Sequence, residues 1–320
     1  MKTAEVITGS RLHFGPLSVA APAGGKFGGV GLMVETPRLA LTARVSTEDS
    51  VRGDPEVIAR VIRFLKQIRQ ATPEINWPQF DVTIHESIPS HCGFGSGTQL
   101  GLAVARVTSL LTEELSPSLE TLARRVGRGF RSAVGLYGFD RGGFLVDGGR
   151  AAAVQLGTLV ARVDFPADWR FVLAAPRATA GLSGEAEQSA FAQQPPMPTS
   201  LTSELCRIVL MDWLPAVIDP DFDRCSSALS AFGNAVGNFF ASAQGGIFAD
   251  PRMADWASRI QQCGIRGVAQ TSWGPTLAAL CPNQSTADQL QRDFAHDAAW
   301  SDCLFQVAAP MNRGATVRHG

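Results

Sequence analysis

Lysine is almost missing from this 320-residue chain. Lys2, Lys26 and Lys66 are the only three, and every other basic residue is arginine. Acidic residues match the basic ones closely, for a net charge of −1, so no global field recruits nucleic acid or a membrane surface. Six cysteines are present, with no Cys-x-x-Cys pair and no other recognisable metal spacing, which argues against a zinc module. Free thiols and a reducing, cytoplasmic setting are the expectation. No apolar run approaches the ~18 residues that a membrane span requires, and residues 1–7 lack the apolar segment of a secretory signal.

What is present is an ordinary globular composition, 45% hydrophobic, long enough for one large or two medium domains. The patterning predicts strands at 3–9, 30–34, 39–45 and 80–85, with the second and third split by a Thr36-Pro37 turn. Asp54-Pro55 is a helix start, followed by apolar spacing at Val57, Ile58, Val61, Ile62, Leu65 and Ile68. Further strands are expected at 144–146, 152–156 and 159–165. The second half reads as strand 170–175, helices over 200–214, 222–243 and 251–263, strands 267–270 and 276–280, helix 285–296 and strand 302–307. That order describes an α+β layer, with helices on one face of an antiparallel sheet. The expected partition is an N-terminal phosphate-loop domain over 1–166, a C-terminal α+β domain over 167–311 and a mobile tail over 312–320.

The densest signal is Pro89-Ser90-His91-Cys92-Gly93-Phe94-Gly95-Ser96-Gly97-Thr98, between a strand and a helix. Backbone N–H groups at a helix N-terminus make an anion cradle. Gly93, Gly95, Ser96, Gly97 and Thr98 are therefore candidate phosphate-binding residues. Residues 124–150 form a second region, with six arginines opposed by only Asp140 and Asp147. Arginine forks suit phosphates and carboxylates, so Arg128, Arg131 and Ser132 are candidates for anion binding. Asp140 and Asp147 are candidate Mg²⁺ ligands beside a diphosphate. A third group is Ser10-Arg11-Leu12-His13, where Arg11 and His13 sit at a strand that can face a cleft. Glycine-rich 24–31, with Gly28 and Gly29, and the Thr271-Ser272-Trp273-Gly274-Pro275 turn complete the set.

Pro89-x-x-x-Gly93-Phe94-Gly95-Ser96-Gly97 resembles the phosphate loop of the galactokinase, homoserine kinase, mevalonate kinase and phosphomevalonate kinase superfamily. Thr271–Pro275 falls where that superfamily places its C-terminal glycine loop. Ser10–Phe14, Phe27–Gly31, Gly127–Gly135 and Gly142–Gly149 look like beta-ribofuranosylaminobenzene 5′-phosphate synthase, over about residues 8 to 280. The resemblance implies a two-domain α+β fold of that superfamily: an N-terminal mixed β/α domain and a C-terminal ferredoxin-like α/β sandwich.

It further implies a decarboxylating phosphoribosyltransferase of tetrahydromethanopterin biosynthesis. Its substrates would be phosphoribosyl diphosphate and 4-hydroxybenzoate or 4-aminobenzoate, with Mg²⁺ and no organic cofactor. Under it His13, Arg11 and Asp140 are the catalytic candidates, and Gly28, Gly29, Arg128, Arg131, Ser132, Thr271 and Ser272 join the glycine loop in substrate binding. No nucleic-acid or membrane partner is expected, and a homodimer is left open. Gly97 stands where the kinases commonly carry a second serine, which bears on ATP chemistry rather than on phosphate binding. An ATP-dependent small-molecule kinase and a non-catalytic ligand-binding relative are the competing readings.

Overall fold

A computed structural model describes residues 2–20, 26–112, 114, 117–150, 156–176 and 193–320. Gly24-Gly25 of the second glycine turn and residues 152–155 of an expected strand lie outside this set. Two sheets organise the chain. The first has seven strands: β1 (Thr3–Gly15), β2 (Gly29–Ser46), β3 (Ser50–Arg52), β4 (Gln79–Glu86), β5 (Phe144–Asp147), β6 (Leu159–Val163) and β11 (Thr316–His319). Its main path runs β11-β1-β2-β4-β3, and β5 pairs with the other end of β2 and with β6. The second sheet is antiparallel, ordered β10-β7-β9-β8 from β7 (Arg170–Pro176), β8 (Val268–Gln270), β9 (Leu277–Cys281) and β10 (Cys303–Ala308).

The expected Thr36-Pro37 turn is absent. β2 runs through it as one 18-residue strand, and the register against β1 slips between the Thr8–Leu39 and Ser10–Val34 pairs. A proline is tolerated in a strand at such an irregularity, and Ser10 Oγ donates to the Pro37 carbonyl at 2.5 Å.

Helix α1 (Pro55–Ala71) starts as its sequence dictates: Asp54 accepts from the Glu56 N–H at 2.9 Å, and Pro55 holds the first turn. Val57, Val61, Phe64, Leu65 and Ile68 are buried, but Ile62 of the expected apolar set faces outward. Helix α2 (Ser96–Leu111) is buried almost all round, and its Gly101 admits the Phe64 ring, which a Cβ there would meet at 3.1 Å. Two short helices follow, α3 (Leu119–Arg125) and α4 (Val134–Arg141).

The helices of the second half are α5 (Thr199–Arg207), continued by a π-helical segment (Ile208–Trp213) into α6 (Leu214–Ile218), then α7 (Phe222–Gln244), α8 (Arg252–Gln262) and α9 (Gln284–Ala295). An aromatic cluster around Trp213 spans the two sheets through Phe14 of β1 and Phe171 of β7. The Trp213 ring lies 5.3 Å from Phe14 and 5.0 Å from Phe144, and Phe14 also meets Phe171 at 6.4 Å.

The tail expected to be mobile is instead part of the first sheet. Thr316–His319 pairs antiparallel with Ala4–Ile7, and Ala315 donates to the Phe139 carbonyl. Four ladder positions and a covered β1 edge hold this segment down, which its polar composition did not disclose. No helix among the described residues is long and apolar enough to cross a membrane.

Candidate active site

A cleft of about 740 Å³ opens where the first sheet meets α7 and the Thr271–Pro275 turn. The glycine loop forms one side. Gly93 and Gly95 have φ of +83° and +70°, a region L side chains rarely adopt. Gly95 is the N-cap of α2, and no side chain caps that end, so its first N–H groups point toward the cleft as a site for negative charge. The loop is clamped from two sides. The Arg11 N–H donates to the Phe94 carbonyl at 3.0 Å. Thr271 Oγ1 accepts from the His13 N–H at 3.0 Å and donates to the Gly93 carbonyl at 3.0 Å. Thr276 Oγ1 donates to the Cys92 carbonyl at 2.7 Å. The Ser272 N–H donates to the His13 carbonyl at 2.6 Å. Residues 258 positions apart in the chain, one on β1 and one in the turn before β9, are thus tied into one wall.

Arginines supply the charge. Arg11, Arg60, Arg63, Arg128 and Arg131 line the cleft, against Glu56 as the only carboxylate among the described lining residues. Arg60 Nη1 donates to Ser90 Oγ at 2.6 Å and Nη2 to Ser96 Oγ at 3.4 Å, so it braces the glycine loop. Burial, with help from Arg63, lowers the Arg60 pKa, against the pull of Glu56. A bound anion would relieve that strain on the charged form. Arg128 lies 5.5 Å from the Phe64 ring centroid.

His13 is buried, with Nε2 3.1 Å from Ser132 Oγ. Burial first, then the charges of Arg11 and Arg131, hold its pKa well below 6.5, so the imidazole is neutral at neutral pH. The Cys92 thiol is pushed up by burial and by Glu56, the opposite of an activated nucleophile.

Most sequence candidates converge here: Arg11, His13, Gly28, Gly93, Gly95, Ser96, Gly97, Thr98, Arg128, Arg131, Ser132 and Ser272 all line the cleft. Gly29 and Thr271 lie just behind it. A Cβ on Gly29 would sit 2.7 Å from His13 Nε2, and Thr271 is the clamp already described.

The two aspartates, expected as metal ligands and in part as catalytic, are not among the residues that line the cleft. Asp140 is exposed and pairs with its neighbour Arg141 at 3.3 Å, away from the cleft lining where its expected roles would place it. Asp147 is fully buried. Its carboxylate accepts from the Ala133 N–H at 2.6 Å and the Gly149 N–H at 2.8 Å. Burial raises its pKa, and those bonds counter the rise. Asp147 shapes the loop that presents Arg131 and Ser132; its oxygens are committed to those two N–H groups and to Ser132. The arginine-rich block is divided in the same way, since Arg125 is buried against Glu114 and only Arg128 and Arg131 of the six line the cleft.

Among the described residues no group of three or more His, Cys, Asp or Glu side chains could hold a metal ion. The protein carboxylate that fits a phosphate-borne Mg²⁺ is Glu56, since Mg²⁺ takes one or two carboxylates and otherwise substrate oxygens.

Sequence reasoning missed Glu56, Arg60 and Arg63, which share one face of α1 by their i, i+4 and i+7 spacing. It also missed Val236, Phe240 and Gln244 on α7, whose i, i+4, i+8 spacing was the available signal.

A sheet-and-helix platform whose glycine loop opens a helix onto a cleft defines the class. The GHMP kinases N terminal domain matches residues 57–141. Solved structures share the fold end to end: a homoserine kinase described as putative, from Listeria monocytogenes, has a TM-score of 0.68 at 16% identity, covering 99% of both chains. Mevalonate diphosphate decarboxylase from Staphylococcus aureus has a TM-score of 0.65 at 11% identity, covering 99% of this chain and 98% of that one.

Sequence similarity narrows the class further. The chain is 30% identical to beta-ribofuranosylphenol 5′-phosphate synthase of Archaeoglobus fulgidus over 97% of its length and 98% of the relative's. It is 28% identical to the synthase of that name from Methanothermobacter thermautotrophicus, over 85% and 87%. The chain belongs to the beta-ribofuranosylphenol 5′-phosphate synthase family.

Proposed function

We propose that this protein is a decarboxylating phosphoribosyltransferase. It would join 4-hydroxybenzoate to the ribose of phosphoribosyl diphosphate, releasing CO₂ and diphosphate, in tetrahydromethanopterin biosynthesis. The observation that carries this reading is the cleft itself. Five arginines and an uncapped helix N-terminus face one carboxylate, a balance suited to two anionic substrates. The relatives' names, which specify a ribofuranosylphenol, favour 4-hydroxybenzoate over 4-aminobenzoate.

The ring carbon bearing the carboxylate attacks the anomeric carbon. The bond to diphosphate breaks and takes its electron pair with it. The electrons of the carbon–carboxylate bond then return to the ring, and CO₂ leaves. No net proton is gained or lost, so the chemistry asks for orientation and charge stabilisation. The glycine-loop N–H groups, Ser96 and Thr98 receive the charge growing on diphosphate, with Arg60 and Arg128 beside them. Arg11 and Arg131 hold the 5′-phosphate and the aromatic carboxylate. Neutral His13 fixes Ser132 by hydrogen bonding and does not act as an acid. Mg²⁺, held by diphosphate and Glu56, would offset the charge of the leaving group.

The test is incubation with phosphoribosyl diphosphate, Mg²⁺ and carboxyl-labelled 4-hydroxybenzoate or 4-aminobenzoate. One labelled CO₂ per diphosphate is expected, without ATP. ATP-dependent phosphorylation of an alcohol with no CO₂ would establish a kinase instead. Binding of phosphoribosyl diphosphate with neither activity would establish a non-catalytic relative.

A further inference from the structure

The cleft has a second end that the anion chemistry leaves unused. Along α7, Val236, Phe240 and Gln244 follow at intervals of four and face it together. Trp273 closes the other side, its ring 4.7 Å from that of Phe240 at an interplanar angle of 63°. Both rings are buried, and Ile247 lies beside them.

This end adjoins the glycine loop directly. Gly274, next to Trp273, is packed so closely that a Cβ there would meet the Gly93 N at 2.2 Å. A planar ring resting on Phe240 and Trp273 therefore lies beside groups that hold anions. Apolar aromatic walls of this kind favour edge-to-face or offset stacking of a further ring.

The polar groups at this end carry no charge. The Gln270 side chain accepts from the Ala249 N–H at 2.7 Å and donates to the Ser272 carbonyl at 2.9 Å and to Gln244 Oε1 at 3.3 Å. Gln270 is thereby fixed. Gln244 donates one N–H to the Ile247 carbonyl at 2.7 Å. Among the described residues, its second N–H and one lone pair of Oε1 stay available for a ligand. A hydroxyl, which both donates and accepts, satisfies both. An aromatic amine, whose lone pair is drawn into the ring, satisfies only the acceptor.

Resting on the synthase reading above, we propose that Phe240 and Trp273 seat the ring of the aromatic acid, and that Gln244 reads its para substituent and favours hydroxyl over amino. Glycine-loop and arginine groups then belong to phosphoribosyl diphosphate and the carboxylate, and α7 sets which benzoate reacts.

Calorimetric titration of 4-hydroxybenzoate, 4-aminobenzoate and phosphoribosyl diphosphate into the full chain tests this without turnover. Phe240→Leu is paired with Phe240→Ala, because the leucine keeps most of the buried volume. Both should weaken the two benzoates about tenfold or more and leave phosphoribosyl diphosphate within about twofold (tenfold is about 1.4 kcal/mol). Gln244→Leu should weaken 4-hydroxybenzoate about tenfold and 4-aminobenzoate distinctly less. Wild-type affinities for both benzoates in Phe240→Leu and Gln244→Leu would overturn the seat, even if the enzyme releases CO₂. Benzoate binding lost in the variants, but with no CO₂ from the wild type, would keep the seat and overturn the synthase reading. A wild type that binds neither benzoate overturns both.

Discussion

Half of residues 93–98 and half of residues 142–149 are glycine, and both stretches look like anion sites from sequence, the first as a turn before a helix N-terminus and the second by its place in an arginine-rich segment. The structure uses them in opposite ways. In the first, Gly97 faces only the ends of flexible side chains: a Cβ would meet Arg128 Nη2 at 2.9 Å and Arg60 Nη2 at 3.4 Å. In the second, the glycines make room for backbone. Cβ atoms on Gly142, Gly143 and Gly149 would strike the carbonyl oxygens of Arg313, Val163 and Lys26 at 2.2, 2.6 and 2.6 Å. At Gly97 the first stretch leaves space for a ligand, although its Gly93 packs on the Thr271 backbone; Gly142, Gly143 and Gly149 of the second let segments of the protein cross at close quarters. Glycine density alone reports close approach, and only the identity of the approaching atoms tells which kind.

The sharpest way to break this contrast is Gly142→Ala. Gly142 has φ 63° and ψ −167°, a combination reserved for glycine, and its neighbour is backbone that cannot swing aside. A loss of at least about 3 kcal/mol is expected, read as a large fall in Tm. A variant as stable as the wild type would remove the structural half of the comparison.

Asp147→Asn comes next. It replaces a buried acceptor of two backbone N–H bonds by an amide, and should cost about 1.5–3 kcal/mol in unfolding free energy. The Mg²⁺ concentration needed for activity should not change. A shifted Mg²⁺ requirement with unchanged stability would make Asp147 a ligand after all.

Gly97→Ala tests the other half. Stability should hold, because the nearest atoms are guanidinium tips and alanine suits a helix better than glycine. The displaced Arg128 should raise KM for phosphoribosyl diphosphate about tenfold, roughly 1.4 kcal/mol. Loss of fold in this variant, with native kinetics in whatever remains folded, would show that Gly97 is structural too.

The smallest effect is in pH dependence. The His13 pKa is lowered on folding, so below about pH 6.5 the unfolded chain binds a proton that the folded one refuses. Stability from this residue is complete above pH 6.5 and declines as pH falls toward the lowered value, by at most about 1.4 kcal/mol per pH unit. His13→Gln should flatten the slope of unfolding free energy between pH 6.5 and 5. An unchanged slope would place the acid sensitivity elsewhere. Asp81, held down to about 2 by Ser50, Arg52 and Arg44, acts only at lower pH.

These expectations also explain what the sequence could disclose. Gly93–Thr98, Arg11, His13, Arg128, Arg131 and Ser132 were legible because each sits in a short motif whose residue types serve the chemistry. The order of elements after residue 170 was legible because periodicity switches cleanly between strand and helix. Arg60 and Arg63 were not, since arginines on the polar side of an amphipathic helix read as solvent-facing until β4 and α2 are placed beside them. For the same reason Phe240 was not singled out, whereas Trp273 stood in the Thr271–Pro275 turn already counted among the candidates. Asp147 was misread because a carboxylate that caps backbone and one that binds metal have the same local sequence. Val317 and its neighbours were misread because a ladder with residues more than 300 positions earlier leaves no local trace.

That last ladder has a consequence for how the protein is made. β1 precedes by some 300 residues the strand that covers its outer edge, which follows every other strand among the described residues. Until Thr316–His319 is made, about 300 residues later, β1 therefore presents an open row of N–H and C=O groups on that side, and Gly142 lacks the Arg313 backbone it packs against. The end of α4 and the edge of the sheet are finished by the same late segment. A ribosome stalled before residue 309 would hold a chain whose glycine loop is already encoded but whose sheet is still adhesive. Over that interval the uncovered edge of β1 is open to pairing with another strand.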